Sequence, residues 1–210
     1  DEAEGISVDA GPERSFTAAA AYDEENLYVR FEVSAAAGLD NSMPDPKTIY
    51  AGGNCLDIML ATDTEAPENR ENAAPGDVRL VVTRQDGKPM AVMVRPEVAG
   101  FEGEPIVLES PVDRSAIDSI EVIDEVKLDY EKRPTGFTAT VTVPQQLLDW
   151  SPRPGTAVKM DLGYIFGNKT GTNAVKRAYW SDNSFEANVV DDIPDESRLR
   201  PAEWGTAVVE

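Results

Sequence analysis

The chain has 210 residues, 41% of them hydrophobic, with one Cys, no His, and 19 basic against 39 acidic residues for a formal charge of −20. This fits one large folded domain that buries a core without disulfides or metal. The charge excludes nucleic acid and anionic membranes as partners, since both are held by Lys and Arg, and the lack of His removes the Ser-His-Asp triad, His-ligated haem and most transition-metal sites.

The acidity suits neutral or cationic ligands and divalent cations, and equally serves solubility. Cys55 has no partner for an internal disulfide and sits in a strand-like run, which reads as a buried, inert thiol. No apolar run reaches membrane-helix length, so no membrane insertion is expected. The chain opens on Asp1 without Met or a signal peptide and closes on a strand-like run, which reads as a piece of a larger polypeptide.

Residues 1–14 are acidic and carry Gly and Pro, the composition of an N-terminal arm; residues 15–210 read as a single domain. "YDEEN" is a tight turn between two strands, and the strand after it alternates cleanly, with Leu27, Val29, Phe31 and Val33 on one face. A polar loop over 34–54 leads into "CLDIMLAT", a mixed strand. A second acidic loop covers 63–76. "DVRLVVTR" and "KPMAVMVRP" flank Asp86-Gly87 and predict a hairpin. "IVLES" is a short strand, and 119–130 reads as one alternating run with Ile120, Val122, Val126 and Leu128 inward. "GFTATVTVP" is a strand, and "PQQLLDW" is the one helical turn, near 144–150, with Pro144 at its start. "TAVKMDLGYIFG", "RAYWSDN" and "WGTAVVE" complete the set. Many short strands separated by turn signals indicate an all-β antiparallel sandwich of immunoglobulin or jelly-roll type.

Tyr179 and Trp180 are adjacent, so on a strand they point to opposite faces. Trp180 either stacks on a pyranose ring, with Asp182 and Asn183 bonding its hydroxyls, or packs in the core ahead of a turn. Arg177 shares a face with Tyr179, and Arg79 with Val81. Each Arg either pairs with a carboxylate or forks onto sugar hydroxyls. Trp150 and Trp204 read as structural. Closely spaced acids in "DDIPDES" (Asp191, Asp192, Asp195, Glu196), "YDEEN" and "LDNSMPDP" either form solvated loops or supply oxygens to calcium, Ca2+. No pair of carboxylates stands out as the two opposed acids of a glycosidase, and no catalytic residue is assigned.

"AYDEENLYVRFEV", "GGNCLDIMLATD", "GDVRLVVT", "GFTATVTVPQQLL", "DLGYIFG", "RAYWSDN" and "PAEWGTAVVE" follow one another in an order that resembles carbohydrate-binding module family 9 and its DOMON-like relatives. The resemblance spans 15–210. It implies a secreted β-sandwich that binds a poly- or oligosaccharide without cleaving it, in some members with structural calcium. It also implies an extracellular, periplasmic or cell-surface setting beside other domains of a polysaccharide-acting protein. On this reading the ligand is held by Trp180 or Tyr164 as stacking ring, with Arg177, Tyr179, Arg79, Asp182 and Asn183 around it, and Arg79 is the sugar contact that the resemblance favours. In sugar-binding members a second stacking Trp lies near the strand that here reads "CLDIML", where this chain has none. The competing expectation is a structural or interaction domain that docks on a partner and binds no sugar.

Overall fold

The period-two pattern folds into two antiparallel sheets facing each other. A computed structural model describes residues 5–182 and 192–210. Its strands are β1 (Ile6–Asp9), β2 (Ser15–Tyr22), β3 (Asn26–Ser34), β4 (Cys55–Ala61), β5 (Asp77–Gln85), β6 (Lys88–Arg95), β7 (Ile106–Glu109), β8 (Arg114–Ile117), β9 (Ser119–Val122), β10 (Lys127–Arg133), β11 (Gly136–Pro144), β12 (Ala157–Gly167), β13 (Ala174–Tyr179) and β14 (Gly205–Val208). Among the described residues three single-turn α-helices join them: α1 (Ile49–Gly52), α2 (Gln145–Leu148) and α3 (Ile193–Ser197). One sheet runs β1-β2-β3-β11-β10; the other runs β13-β12-β4-β5-β6-β9, with β14 on the start of β12. The segment read as an arm thus contributes an edge strand.

The core lies between the sheets. Leu27, Val29, Phe31 and Val33 meet Phe137, Ala139, Val141 and Val143 within the first sheet, and Leu56, Ile58, Leu60, Leu80, Leu162 and Phe166 face them from the second. Each such side chain contributes about 1.5–3 kcal/mol by leaving water. Trp150 closes one end, edge-on to Tyr22 at 6.1 Å between centroids. The β5–β6 turn is the expected one, with Asp86 at φ 49° and Gly87 at φ 77°, the left-handed pair of a type I′ hairpin.

The outer face of the second sheet is buried as well. The β7–β8 hairpin, α1 and α3 cover it, and Ile49, Tyr50, Leu108 and Ile117 pack onto Cys55, Val81, Val92, Val94 and Ile165. This explains why β4 is buried at every position and its sequence does not alternate. Burial pushes the Cys55 thiol up to about 12, which leaves it protonated and unreactive.

The stretch 119–130 departs from expectation. It is two strands in different sheets: β9 pairs with β6 and β10 with β11. The chain crosses between sheets at 123–126, so the alternation does not carry through and Val122 is 49% exposed on an edge. The helices α1 and α3 were also not expected; both are too short to leave a helical period.

Candidate functional site

Polar side chains gather on the covered face of the second sheet. Asp57 stands mid-strand in β4, and Arg79 lies on the neighbouring β5, two residues from Val81, the register partner of Asp57. Arg79 Nε donates to Asp57 Oδ1 at 2.9 Å and Nη2 donates to Oδ2 at 2.6 Å, a two-pronged ion pair. Tyr179 reaches the same carboxylate from β13, two strands away, its hydroxyl donating to Asp57 Oδ2 at 2.8 Å. It does so by lying across Gly163 of β12, the register partner of both Tyr179 and Asp57. The remaining Arg79 prong donates from Nη1 to the Glu196 carbonyl at 2.6 Å, and its guanidinium sits 4.7 Å from the centre of the Tyr50 ring. Arg177, two residues before Tyr179, forms an ion pair with the Glu196 carboxylate at 2.6 Å. Tyr50 donates to the Ile193 carbonyl at 3.3 Å.

These groups are sealed: Asp57 is 0%, Arg79 1%, Glu196 3% and Arg177 4% exposed. Burial works against the Arg79 charge, but the adjacent Asp57 carboxylate outweighs it and holds the guanidinium above its ordinary range. Burial also drives the Tyr50 and Tyr179 hydroxyls well above theirs. Both phenols therefore stay neutral donors.

Gly163 makes the arrangement possible. A Cβ there would fall 2.2 Å from Cδ1 of the Tyr179 ring, a buried contact that cannot swing away. Gly163→Ala is expected to displace the ring from Asp57 and to cost about 1–3 kcal/mol of stability, read as a lowered urea midpoint. An unchanged midpoint would show that Tyr179 has room to move.

No protein-family model matches the sequence, and no curated protein does. Solved structures match in fold. A family 9 carbohydrate-binding module from Caldicellulosiruptor kristjanssonii in complex with cellotriose aligns with a TM-score of 0.61 at 13% identity, covering 98% of this chain and 82% of that one. Another structure of a family 9 module from that organism, in complex with glucose, gives 0.57 at 14% identity, over 99% and 84%. The chain has the fold of carbohydrate-binding module family 9.

Within this family 9 fold, three of the sequence-derived candidates come together: Arg79, Arg177 and Tyr179. Both arginines are ion-paired, the alternative that their strand positions left open. Trp180 and Asp182 stand apart from them. Trp180 points to the other side of β13, half-buried against the core between the sheets, its ring over Gly205. Asp182 is buried, and its backbone N–H donates to Asp161 Oδ2 at 2.8 Å. Tyr164 does not fit a stacking role. It faces the core, fully buried, with Phe166 at 4.7 Å and Phe137 at 5.8 Å between ring centroids. Its parity on β12 is that of Leu162 and Phe166 and opposite to that of Gly163, which turns it inward. Asn183 lies outside the described residues. Trp204 is buried, as expected of a structural Trp.

Among the described residues the acidic groups do not assemble a cation site. Asp195 is taken by Arg200 at 2.5 Å and Arg198 at 3.4 Å, cations that would repel a metal. Asp192 accepts from the Glu196 N–H through its backbone carbonyl. Asp191 lies outside the described residues. Among the described residues no group of three or more His, Cys, Asp or Glu is placed to hold a metal ion. In "YDEEN", Asp23 accepts from the backbone N–H of Glu25 and Asn26 and from the Tyr28 hydroxyl, which makes it a turn device. Of the calcium carboxylates expected at 191–195, that of Asp195 is thus engaged by arginines.

Sequence reading missed Asp57, Tyr50, Gly163 and Glu196 as parts of this cluster. Two carried a signal. Asp57 is the one charge in an otherwise apolar strand, and a Gly inside a strand marks close approach of another group. An aromatic ring does stand beside β4, in Tyr50, where the sequence has no Trp.

Proposed function

We propose that the chain is a non-catalytic carbohydrate-binding module of a larger extracellular, periplasmic or cell-surface protein acting on polysaccharide, and that Arg79, Arg177 and Tyr179 mark its sugar site. The observation that carries this is their convergence, with Asp57 and Tyr50, on one sheet face. Forked guanidiniums, phenol hydroxyls and a carboxylate are the groups that bond the paired hydroxyls of a pyranose. The family 9 neighbours that hold glucose and cellotriose support the same reading. No helix among the described residues is long and apolar enough to cross a membrane. Trp180, on the opposite side of the sheet from Tyr179, offers a second place for a ring to stack.

Calorimetric titration with glucose and cellotriose separates the two places. Arg177→Ala is expected to weaken binding at least about tenfold, as loss of a central contact does, while Trp180→Ala leaves the affinity within about twofold. The reverse order would move the site to Trp180. A second reading draws on the burial of the cluster: a structural or interaction domain that docks on a partner and binds no sugar. It predicts no heat with any glycan for any variant.

A further inference from the structure

The cluster has two layers of different origin. Asp57, Arg79, Tyr179 and Arg177 come from paired strands of one sheet, and the bonds among the first three need nothing else. The outer layer comes from α3 and is made of oxygens. The Glu196 carbonyl takes the free prong of Arg79, the Glu196 carboxylate takes Arg177, and the Ile193 carbonyl takes the Tyr50 hydroxyl. These oxygens do for the sheet what the hydroxyls of a bound sugar would do.

The element that supplies them is weakly built. It has five residues, opens on Asp192 without a side-chain cap, and ends at an extended Arg198. A helix of that length has no stability of its own in water. Besides its bonds to the sheet cluster, a second set of contacts anchors its C-terminal end. Ser197 Oγ donates to Ser115 Oγ at 2.9 Å; Arg198 pairs with Asp113 and donates to the Arg114 carbonyl at 2.9 Å; Arg200 pairs with Asp195. Arg198 and Asp113 are about a third exposed, so water competes for the pair. A single-turn segment whose C-terminal anchor is shared with water opens more readily than the paired strands beneath it, although opening must also release the buried Arg177–Glu196 pair.

We propose that α3 is a built-in occupant of the sheet-face site, and that a neutral sugar binds there only when Ile193–Ser197 has lifted away. The inference rests on the carbohydrate reading above. The apparent affinity of the intact chain is then its intrinsic affinity multiplied by the small fraction of molecules in which α3 is open. Opening uncovers Arg79, Arg177 and the Tyr50 hydroxyl, and leaves Asp57, itself held by the Tyr179 hydroxyl, to keep Arg79 in place.

Two variants that act in opposite directions test this, with cellotriose and a glycan array as probes. Arg198→Ala with Arg200→Ala removes marginal contacts without touching the sheet cluster, and is expected to tighten binding about 3- to 10-fold. Ser115→Cys with Ser197→Cys puts two thiols where the hydroxyls now touch, and the oxidised protein locks α3 down. It is expected to lose binding and to regain it on reduction; if one variant does not fold, the other still decides. A loosened variant that binds no tighter, or an oxidised lock that binds as well as the parent, would overturn the role of α3 while the carbohydrate reading stands. No binding by the parent or by either variant would overturn both.

Discussion

Replacing Asp57 by Ala is expected to destabilise the fold by about 3–5 kcal/mol, because it leaves the Arg79 guanidinium buried without its counter-charge. For a chain of this length that corresponds to a fall in Tm of roughly 6–20 °C. Arg79→Met is expected to cost a similar amount by stranding Asp57. The double variant is the informative one. With both charges gone the desolvation penalty disappears too, so its loss should resemble one single variant rather than the sum of both. It should not return to parental stability, because the Tyr179 hydroxyl and the Glu196 carbonyl lose their partners, each worth about 1–3 kcal/mol when left unsatisfied. Guanidinium unfolding of the four proteins measures the coupling directly. A loss below about 1 kcal/mol for Asp57→Ala would mean that water reaches the pair.

Asp161 gives the second large effect. Its carboxylate is buried on β12, where Asp161 is the register partner of Met59, and accepts backbone N–H bonds from Leu162, Ser181 and Asp182. Burial raises its pKa from the ordinary 3.8 to about 7, the N–H bonds pulling the other way and the Asp182 charge adding to the rise. Between about pH 4 and pH 7 the unfolded chain has released this proton and the folded chain has kept it. Folding therefore takes up a proton, and stability falls as pH rises through that window, by up to about 4 kcal/mol, then levels off. Groups of opposite sign act at lower pH. The Arg198 guanidinium holds Asp113 down at about 2, and hydrogen bonds lower Asp23 and Glu32, so their stabilisation is lost on acidification. Urea midpoints between pH 4.5 and 7.5 should thus decline for the parent and run much flatter for Asp161→Asn. Parallel curves for the two proteins would show that Asp161 is ionised throughout.

Most of the sandwich was legible because most of its strands bury one face. Leu27, Val29, Phe31 and Val33 could be placed by alternation alone, and Asp86-Gly87 could be placed by turn chemistry. The covered face of the second sheet was harder for the same physical reason. Where both faces of β4 are buried the alternation vanishes, and the lone charge of Asp57 marks a buried polar site without naming the partners it meets there. Tyr164 shows the limit at one residue: parity puts it opposite Gly163, but which face is the core depends on pairing with β4 and β13. Glu196 was hidden in "DDIPDES", a string whose composition is that of a solvated loop. Its role comes from packing under a hairpin about 80 residues earlier in the chain, and that long-range partnership leaves no mark on local sequence.

The most direct test of the sheet-face site is a backbone-amide chemical-shift titration of the 15N-labelled chain with cellotriose, extended to any glycan-array hit. The account predicts saturable shifts concentrated on β5, β13 and α3, around Arg79, Arg177 and Glu196. Shifts confined to the Trp180 indole and its neighbours would place the sugar elsewhere, and unmoved spectra with every glycan would contradict carbohydrate binding altogether.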